Sequence, residues 1–182
     1  MFLEEVADIF FSFPERTMCE KDDSVLWLTS ASLQSNNRII NPVKDDTLSI
    51  KKAVKVFPGD IVVKRIQPQF VNYICEDNDY YLGQNLALIR PHKSVCGKYL
   101  AFVLENKIEN LYRDMTGTTI PSIRKNGFDF FAIGELPPLD KQNAIGQLWW
   151  LMKEKNKYQE ELLEKEYVLL KTQLNKLLDK RG

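Results

Sequence analysis

Met115-Thr-Gly-Thr-Thr-Ile-Pro-Ser-Ile-Arg124, then Lys125-Asn-Gly127, then Phe128-Asp-Phe-Phe-Ala-Ile-Gly-Glu-Leu-Pro-Pro-Leu-Asp-Lys-Gln142: this stretch decides how the chain is divided. Gly117 to Thr119 reads as a turn, Arg124 and Lys125 as a short basic segment, and Phe128 to Ile133 as a buried apolar run. Pro137 and Pro138 follow. Proline cannot donate to a strand ladder but suits the first turn of a helix, so the pair marks a hand-over from strand to helix. Residues 1–137 are expected to form a globular head and residues 138–182 a shaft.

The shaft is patterned for a partner. Ile145, Leu148, Trp149 and Met152 form one apolar stripe, and Leu163, Tyr167, Leu170, Leu174 and Leu177 recur at alternating steps of four and three, the seam of a coiled coil. Between them Lys153 to Glu161 is almost wholly polar, so the seam is either interrupted there or shifts register. A straight helix from Asp140 to Leu178 would reach roughly 58 Å. Such a helix with one apolar stripe is unstable alone in water, and the head offers no helix of similar length. Leu148, Met152, Leu163, Tyr167, Leu170, Leu174 and Leu177 are therefore the candidate dimerisation residues, in an antiparallel coiled coil with a second copy or another protein.

The head reads as mixed α and β. Leu3, Val6, Ala7 and Phe10 have helical spacing, which predicts a short N-terminal helix ending before Pro14. Val25-Leu-Trp-Leu-Thr is a strand, with Trp27 in the core. Ser35-Asn-Asn-Arg and Asn41-Pro42 are turns. Phe57-Pro-Gly-Asp is a tight turn before a strand beginning Ile61-Val-Val-Lys-Arg-Ile. Val71 to Cys75 is a further strand, joined by a hairpin-type turn at Glu76 to Asp79 to Tyr80-Tyr-Leu. Asn85 to Arg90 is another strand, stopped by Pro91. Leu100, Val103, Leu104, Ile108 and Leu111 place one helix from Tyr99 to Tyr112 with its apolar face on the sheet. The fold class is α+β, with no repeat and no low-complexity tract.

Composition narrows the function. A hydrophobic content of 44% with 27% charged residues in 182 is globular. No apolar run approaches the roughly 20 residues of a bilayer span, and the start is acidic where a signal peptide is basic, so a cytoplasmic protein without a membrane is expected. Cys19, Cys75 and Cys96 are odd in number and lack C-x-x-C spacing, which speaks against a disulfide framework or zinc knuckle. Formal net charge is zero, yet residues 51–125 hold 12 basic against 7 acidic side chains. A polyanion-binding surface needs such a local excess, not a basic average.

Nothing in the chain points to catalysis. The single histidine, His92, reads as a loop residue; no phosphate-cradling glycine motif occurs. The pairs Asp22-Asp23, Asp45-Asp46 and Glu76-Asp77 read as solvated turns, not metal ligands. No Asn/Asp-Pro-Pro-aromatic motif of an adenine methyltransferase is present. Recognition is left. Arginine reads guanine edges and Asn or Gln adenine, while Lys, Thr and turn amides hold phosphates. The candidate DNA-contacting residues are Lys64, Arg65, Gln67, Gln69, Asn72, Gln84, Asn85, Arg90, Lys93, Thr118, Thr119, Arg124 and Lys125, with Arg113 and Thr116 in the same segment.

Gly117-Thr-Thr-Ile-Pro-Ser-Ile, then Leu136-Pro-Pro-Leu-x-x-Gln142 before a long Leu-rich helix, resembles the end of a target recognition domain and the conserved helix of type I restriction-modification specificity subunits. Phe57-Pro-Gly-Asp-Ile-Val-Val-Lys-Arg65 and Gln84-Asn-Leu-Ala-Leu-Ile-Arg-Pro91 resemble two further signatures of that domain, in order. The N-terminus matches less well, though Ala31 to Arg38 would also approach DNA by this resemblance. The resemblance implies a half-length specificity protein binding double-stranded DNA without a cofactor of its own. It would pair through residues 140–178 to read an inverted repeat, and would dock a methyltransferase subunit that uses S-adenosylmethionine, with a restriction subunit as a further candidate partner. Two other classes stay open: the recognition module of a single-chain restriction enzyme-methyltransferase, and a coiled-coil adaptor whose head binds protein.

Overall fold

A computed structural model describes residues 1–15, 25–45, 47–76, 78–116 and 121–179. The Gly117–Thr119 turn, the candidates Thr118 and Thr119, and Cys19, Asp22, Asp23, Asp46 and Asp77 lie outside the described residues.

The centre of the head is a four-stranded antiparallel sheet in the order β1 (Ala7–Phe11), β7 (Leu86–Pro91), β4 (Ile61–Lys64), β5 (Val71–Tyr73). Its two central strands are covered on both faces, which is why Ile61-Val-Val and Leu86-Ala-Leu-Ile are unbroken apolar runs instead of alternating ones. On one face Ile61, Val63, Ala87 and Ile89 meet Leu100 and Leu104 of helix α1 (Gly97–Asn106), Phe128 of the short helix α2 (Lys125–Asp129) and Trp149. On the other, Val62, Leu86 and Leu88 meet Leu28, Leu33, Ile74 and Leu82. That second layer is a three-stranded sheet of β3 (Val43–Lys44), β2 (Leu26–Leu28) and β6 (Tyr80–Leu82). A two-stranded ribbon, β8 (Met115–Thr116) with β9 (Ser122–Ile123), completes the head, and α3 (Leu139–Asp179) leaves it.

Trp27, only 1% exposed, is core as the sequence predicts. Four expectations are corrected. The N-terminal segment is a turn of 3-10 helix at Leu3–Glu5 followed by β1, because pairing Ala7–Phe11 with β7 outweighs a weak helical spacing. The turn after β5 is no hairpin: β6 pairs parallel with β2, Leu26 to Tyr80 and Leu28 to Leu82. The helix expected over Tyr99 to Tyr112 ends at Asn106 and resumes as 3-10 helix at Ile108–Asp114, with Ile108 and Leu111 still buried. Phe128 to Ile133 is not one buried run either. It leaves α2 and passes Phe130, 61% exposed, while Phe128, Phe131 and Ile133 are buried. Cys75 and Cys96 are free thiols, and burial of the sulfur pushes Cys75 up to about 11.

Helix α3 begins at Leu139, as the double proline predicts, but its first half is not free of the head. Counting back from Leu177 in alternating steps of three and four gives Leu174, Leu170, Tyr167 and Leu163. The same count continues to Glu160, Asn156, Lys153, Trp149, Gly146 and Gln142. All six of these touch the head. Buried Gln142 accepts from the Cys96 amide at the start of α1 (3.1 Å) and donates to the Pro137 carbonyl (2.8 Å), so it fastens the two helix starts together. Gly146 lies against the backbone of Lys98 and Tyr99, where a Cβ would stand 2.7 Å from the Tyr99 nitrogen. Trp149 Nε1 and Lys153 Nζ both donate to Glu105 (2.9 and 2.6 Å). Asn36 receives Asn156 and donates to Glu160, and Arg38 bridges Glu160 and Glu164. The polar tract therefore continues the heptad and is occupied by the head. From Leu162 to Leu178 every residue of the helix is exposed.

Candidate nucleic-acid interface

The register of the four-stranded sheet sorts the predicted contacts into two ends. At one end β4 finishes and β5 and β7 begin, so the sequence-distant Lys64, Arg65, Gln67, Gln69, Gln84 and Asn85 come together. The Arg65 amide donates to the Asn85 carbonyl (2.8 Å), and the Arg65 carbonyl accepts from Ile123 (2.9 Å), which brings β9 and the adjoining Arg124 and Lys125 to the same end. Gln67, Gln69, Gln84, Asn85, Arg124 and Lys125 are exposed there. Gln67 and Asn85 hold positive φ angles of 47° and 62°, so both side chains stand at the crests of tight turns. The Lys125 ammonium pairs with Asp129 one helical turn on (2.8 Å).

Aromatic rings floor this end. Lys64 Nζ lies 5.0 Å above the Phe70 ring, and the Arg65 guanidinium 4.0 Å from Phe11 and 6.0 Å from the exposed Phe13. Burial lowers both Lys64 and Arg65 from their ordinary values. Neither has a carboxylate partner among the described residues, so the end carries uncompensated positive charge, the footprint that phosphates attract.

Three predicted contacts lie elsewhere. Asn72 is fully buried between the layers, and its amide donates to the carbonyls of Gln34 and Arg38. Arg90 is at the opposite end of the sheet, where Nε and Nη2 both donate to Asp60 (2.8 Å each), raising its pKa. Asp60, 1% exposed, also accepts from the Phe57 amide. The Phe57-Pro-Gly-Asp turn and the Ile89-Arg-Pro segment are thus two sides of one internal ion pair, a structural joint. Lys93 is exposed beside it, next to His92 and the first turn of α1, where α3 attaches. The loop from Ala31 to Arg38 is turned toward α3: Asn37 brackets Tyr73 from both sides, and Asn36 and Arg38 face Glu160 and Glu164.

Sequence reasoning missed the residues that orient the head on the helix, namely Glu105, Asn36 and Arg38 in the head and Lys153, Asn156 and Glu160 in α3. The signal was the unbroken alternation of threes and fours through the polar tract. Among the described residues no group of three His, Cys, Asp or Glu is assembled as a metal site, and no helix is long and apolar enough to cross a membrane.

Against known proteins, the family described as the type I restriction modification DNA specificity domain matches residues 2–148. Among solved structures, the HsdS subunit from Thermoanaerobacter tengcongensis is 20% identical, with a TM-score of 0.62 over 85% of this chain and 37% of that one. A chain from a type I R-M system studied for complex assembly and conformational transition is 18% identical, TM-score 0.62, over 94% and 42%. The S subunit of a type I restriction-modification system from M. genitalium is 14% identical, TM-score 0.59, over 90% and 41%. At these identities the likeness is one of fold, and the chain spans about two fifths of the length of each of these structures. No protein of curated function matches.

Proposed function

The chain belongs to the family of type I restriction-modification DNA specificity domains, and from that premise we propose that it reads one half of a split DNA target and holds a second reader at fixed distance. Residues 1–137 are the reading head, residues 138–182 the dimerisation helix. The observation that carries the reading is the basic end of the sheet, facing away from the attachment of α3, where Lys64 and Arg65 have no carboxylate partner among the described residues, joined by Arg124, by Lys125 with its partner Asp129, and by four flanking amide side chains. Phosphates would be neutralised by Lys64, Lys125 and Arg124, while Gln67, Gln69, Gln84 and Asn85 offer paired donors and acceptors to base edges. Thr118 and Thr119 join the set by sequence.

The exposed half of α3 supports pairing. Leu163, Tyr167, Leu170, Leu174 and Leu177 are 59–66% exposed, and covering each is worth about 2 kcal/mol. A second copy laid antiparallel across this seam buries it, with Leu148 and Met152, both at least half exposed, available to the same partner. Two-fold symmetry in the protein requires an inverted repeat in the DNA. The chain supplies recognition and no chemistry; a methyltransferase subunit using S-adenosylmethionine modifies adenine, and a restriction subunit joins through the same assembly.

The test is to purify the chain with the methyltransferase that accompanies it and map methylated adenines. An inverted repeat interrupted by a fixed spacer is expected. A defined but asymmetric site would overturn the pairing and favour a monomeric recognition module; no defined site would overturn the recognition reading.

A further inference from the structure

Among the described residues three arginines of the head are half-buried, and two of them are answered within the protein. Arg90 has Asp60, and Arg38 has Glu160 and Glu164. Arg65 has no carboxylate among the described residues. Its backbone is bonded to Asn85 and Ile123 on either side, and its Nε donates to the Ile123 carbonyl (3.0 Å). The guanidinium face rests 4.0 Å from Phe11, whose ring is fixed edge-on against buried Phe128, and Phe13 flanks it at 6.0 Å. Phe13 is itself 67% exposed, an aromatic ring left in water beside a charge.

These contacts fix the plane of the guanidinium and use only the Nε edge. The Nη1 and Nη2 donors meet no acceptor among the described residues. Arginine does not shed its proton to escape burial, so the side chain carries a partly desolvated charge that a ligand would relieve. Of the other basic groups at this end, Lys64 is a lysine laid over the Phe70 ring, and Arg124 and Lys125 are exposed, with Lys125 paired to Asp129. A phosphate tolerates a cation from many directions, whereas a base edge demands two donors in one plane, which is what a stacked arginine presents and a loose lysine does not.

We propose that Arg65 reads a guanine in each half-site through its two terminal nitrogens, with Phe11 and Phe13 acting as positioning residues that hold its plane, and with Lys64, Lys125 and Arg124 serving phosphates. The inference deepens the recognition reading given above and rests on it. It singles out one arginine, and one kind of base pair, from the basic end as a whole.

Selection from random duplex pools followed by salt titration tests it, using the full chain and three variants, R65K, R65A and F13L. The wild type enriches a motif with a G·C pair at one position of the half-site. R65K keeps the charge, so the slope of log affinity against log salt stays within about one unit of wild type. Affinity for the selected duplex nonetheless falls about 10- to 100-fold, and the G·C preference at that one position is lost. F13L leaves every buried hydrogen bond in place and is expected to relax the same position by a smaller factor. Were R65K and F13L to select the wild-type motif unchanged, the assignment would be wrong. A uniform loss over all sequences in R65K and R65A would instead make Arg65 a phosphate contact, which also overturns it. Should the wild type enrich no motif, it is the recognition reading that fails, and this inference with it.

Discussion

The two halves of α3 carry the same alternation of four- and three-residue steps and use it in opposite ways. From Gln142 to Glu160 the seam positions are polar or small, with one tryptophan, and each is matched to a group of the head. From Leu163 to Leu177 they are leucine and tyrosine, exposed and in contact with no part of the head among the described residues. The first half fixes orientation: hydrogen bonds and a 2.6 Å ion pair between Lys153 and Glu105 hold only in one arrangement. The second half is apolar and non-directional, suited to a partner helix. A helix that docks its own head by specific polar contacts and leaves its leucines bare keeps the head rigid with respect to whatever covers those leucines, which is what a spacer between two readers requires.

Substitutions in each half separate these roles. In the distal half, L163E with L170E places four carboxylates per dimer in the seam and is expected to raise the dissociation constant at least about a thousandfold, while the melting of the head is unchanged. Sedimentation of the double variant beside the wild type checks this, and a dimer that survives would break the contrast. In the proximal half the expectation reverses. W149A removes a ring only 3% exposed and one donor to Glu105, so it should cost about 3 kcal/mol in denaturant unfolding and leave the mass alone.

Gly146 sharpens the comparison further. Alanine favours a helix interior by about 1 kcal/mol over glycine, yet here its Cβ would press on the Tyr99 nitrogen and the Lys98 carbonyl carbon. G146A is therefore expected to destabilise by about 1–2 kcal/mol despite its helix propensity, as overpacking does. A stabilised variant in the same unfolding assay would mean that the helix does not lie against α1 in solution. R38A should have the smallest effect, about 0.5 kcal/mol, because its carboxylate partners Glu160 and Glu164 remain 39% and 63% exposed. A double-mutant cycle with E164A measures it.

What could be read from the sequence follows from how local the cause is. The Phe57-Pro-Gly-Asp turn, β4, β7 and the start of α3 are set by a positive-φ glycine, β-branched runs and a double proline, all within a few residues. β1 was hidden because Leu3, Val6, Ala7 and Phe10 imitate a helix, and only pairing with β7, some 80 residues away, makes Ala7–Phe11 a strand. β6 was placed wrongly for the same reason, since its partner is β2 and not its neighbour in sequence.

The candidate site was half legible. Residue type alone put Arg65, Arg124 and the amides among the candidates, but could not tell an arginine without a carboxylate partner from Arg90, whose partner Asp60 lies in the Phe57-Pro-Gly-Asp turn. Asn72 was misread because a polar residue in a strand usually marks a wet face. Here both faces are covered, and its amide holds the loop from Gln34 to Arg38. In α3, the polar tract looked like a gap in the seam because hydrophobicity was taken as the only mark of packing, whereas Lys153 and Glu160 are packed by charge.

Sedimentation equilibrium of the full chain over a range of micromolar concentrations addresses the central claim most directly. A spacer helix shared by two heads predicts a mass of about twice 21.2 kDa that dissociates on dilution. A mass of 21.2 kDa throughout that range, with Leu163 to Leu177 left bare, would contradict it.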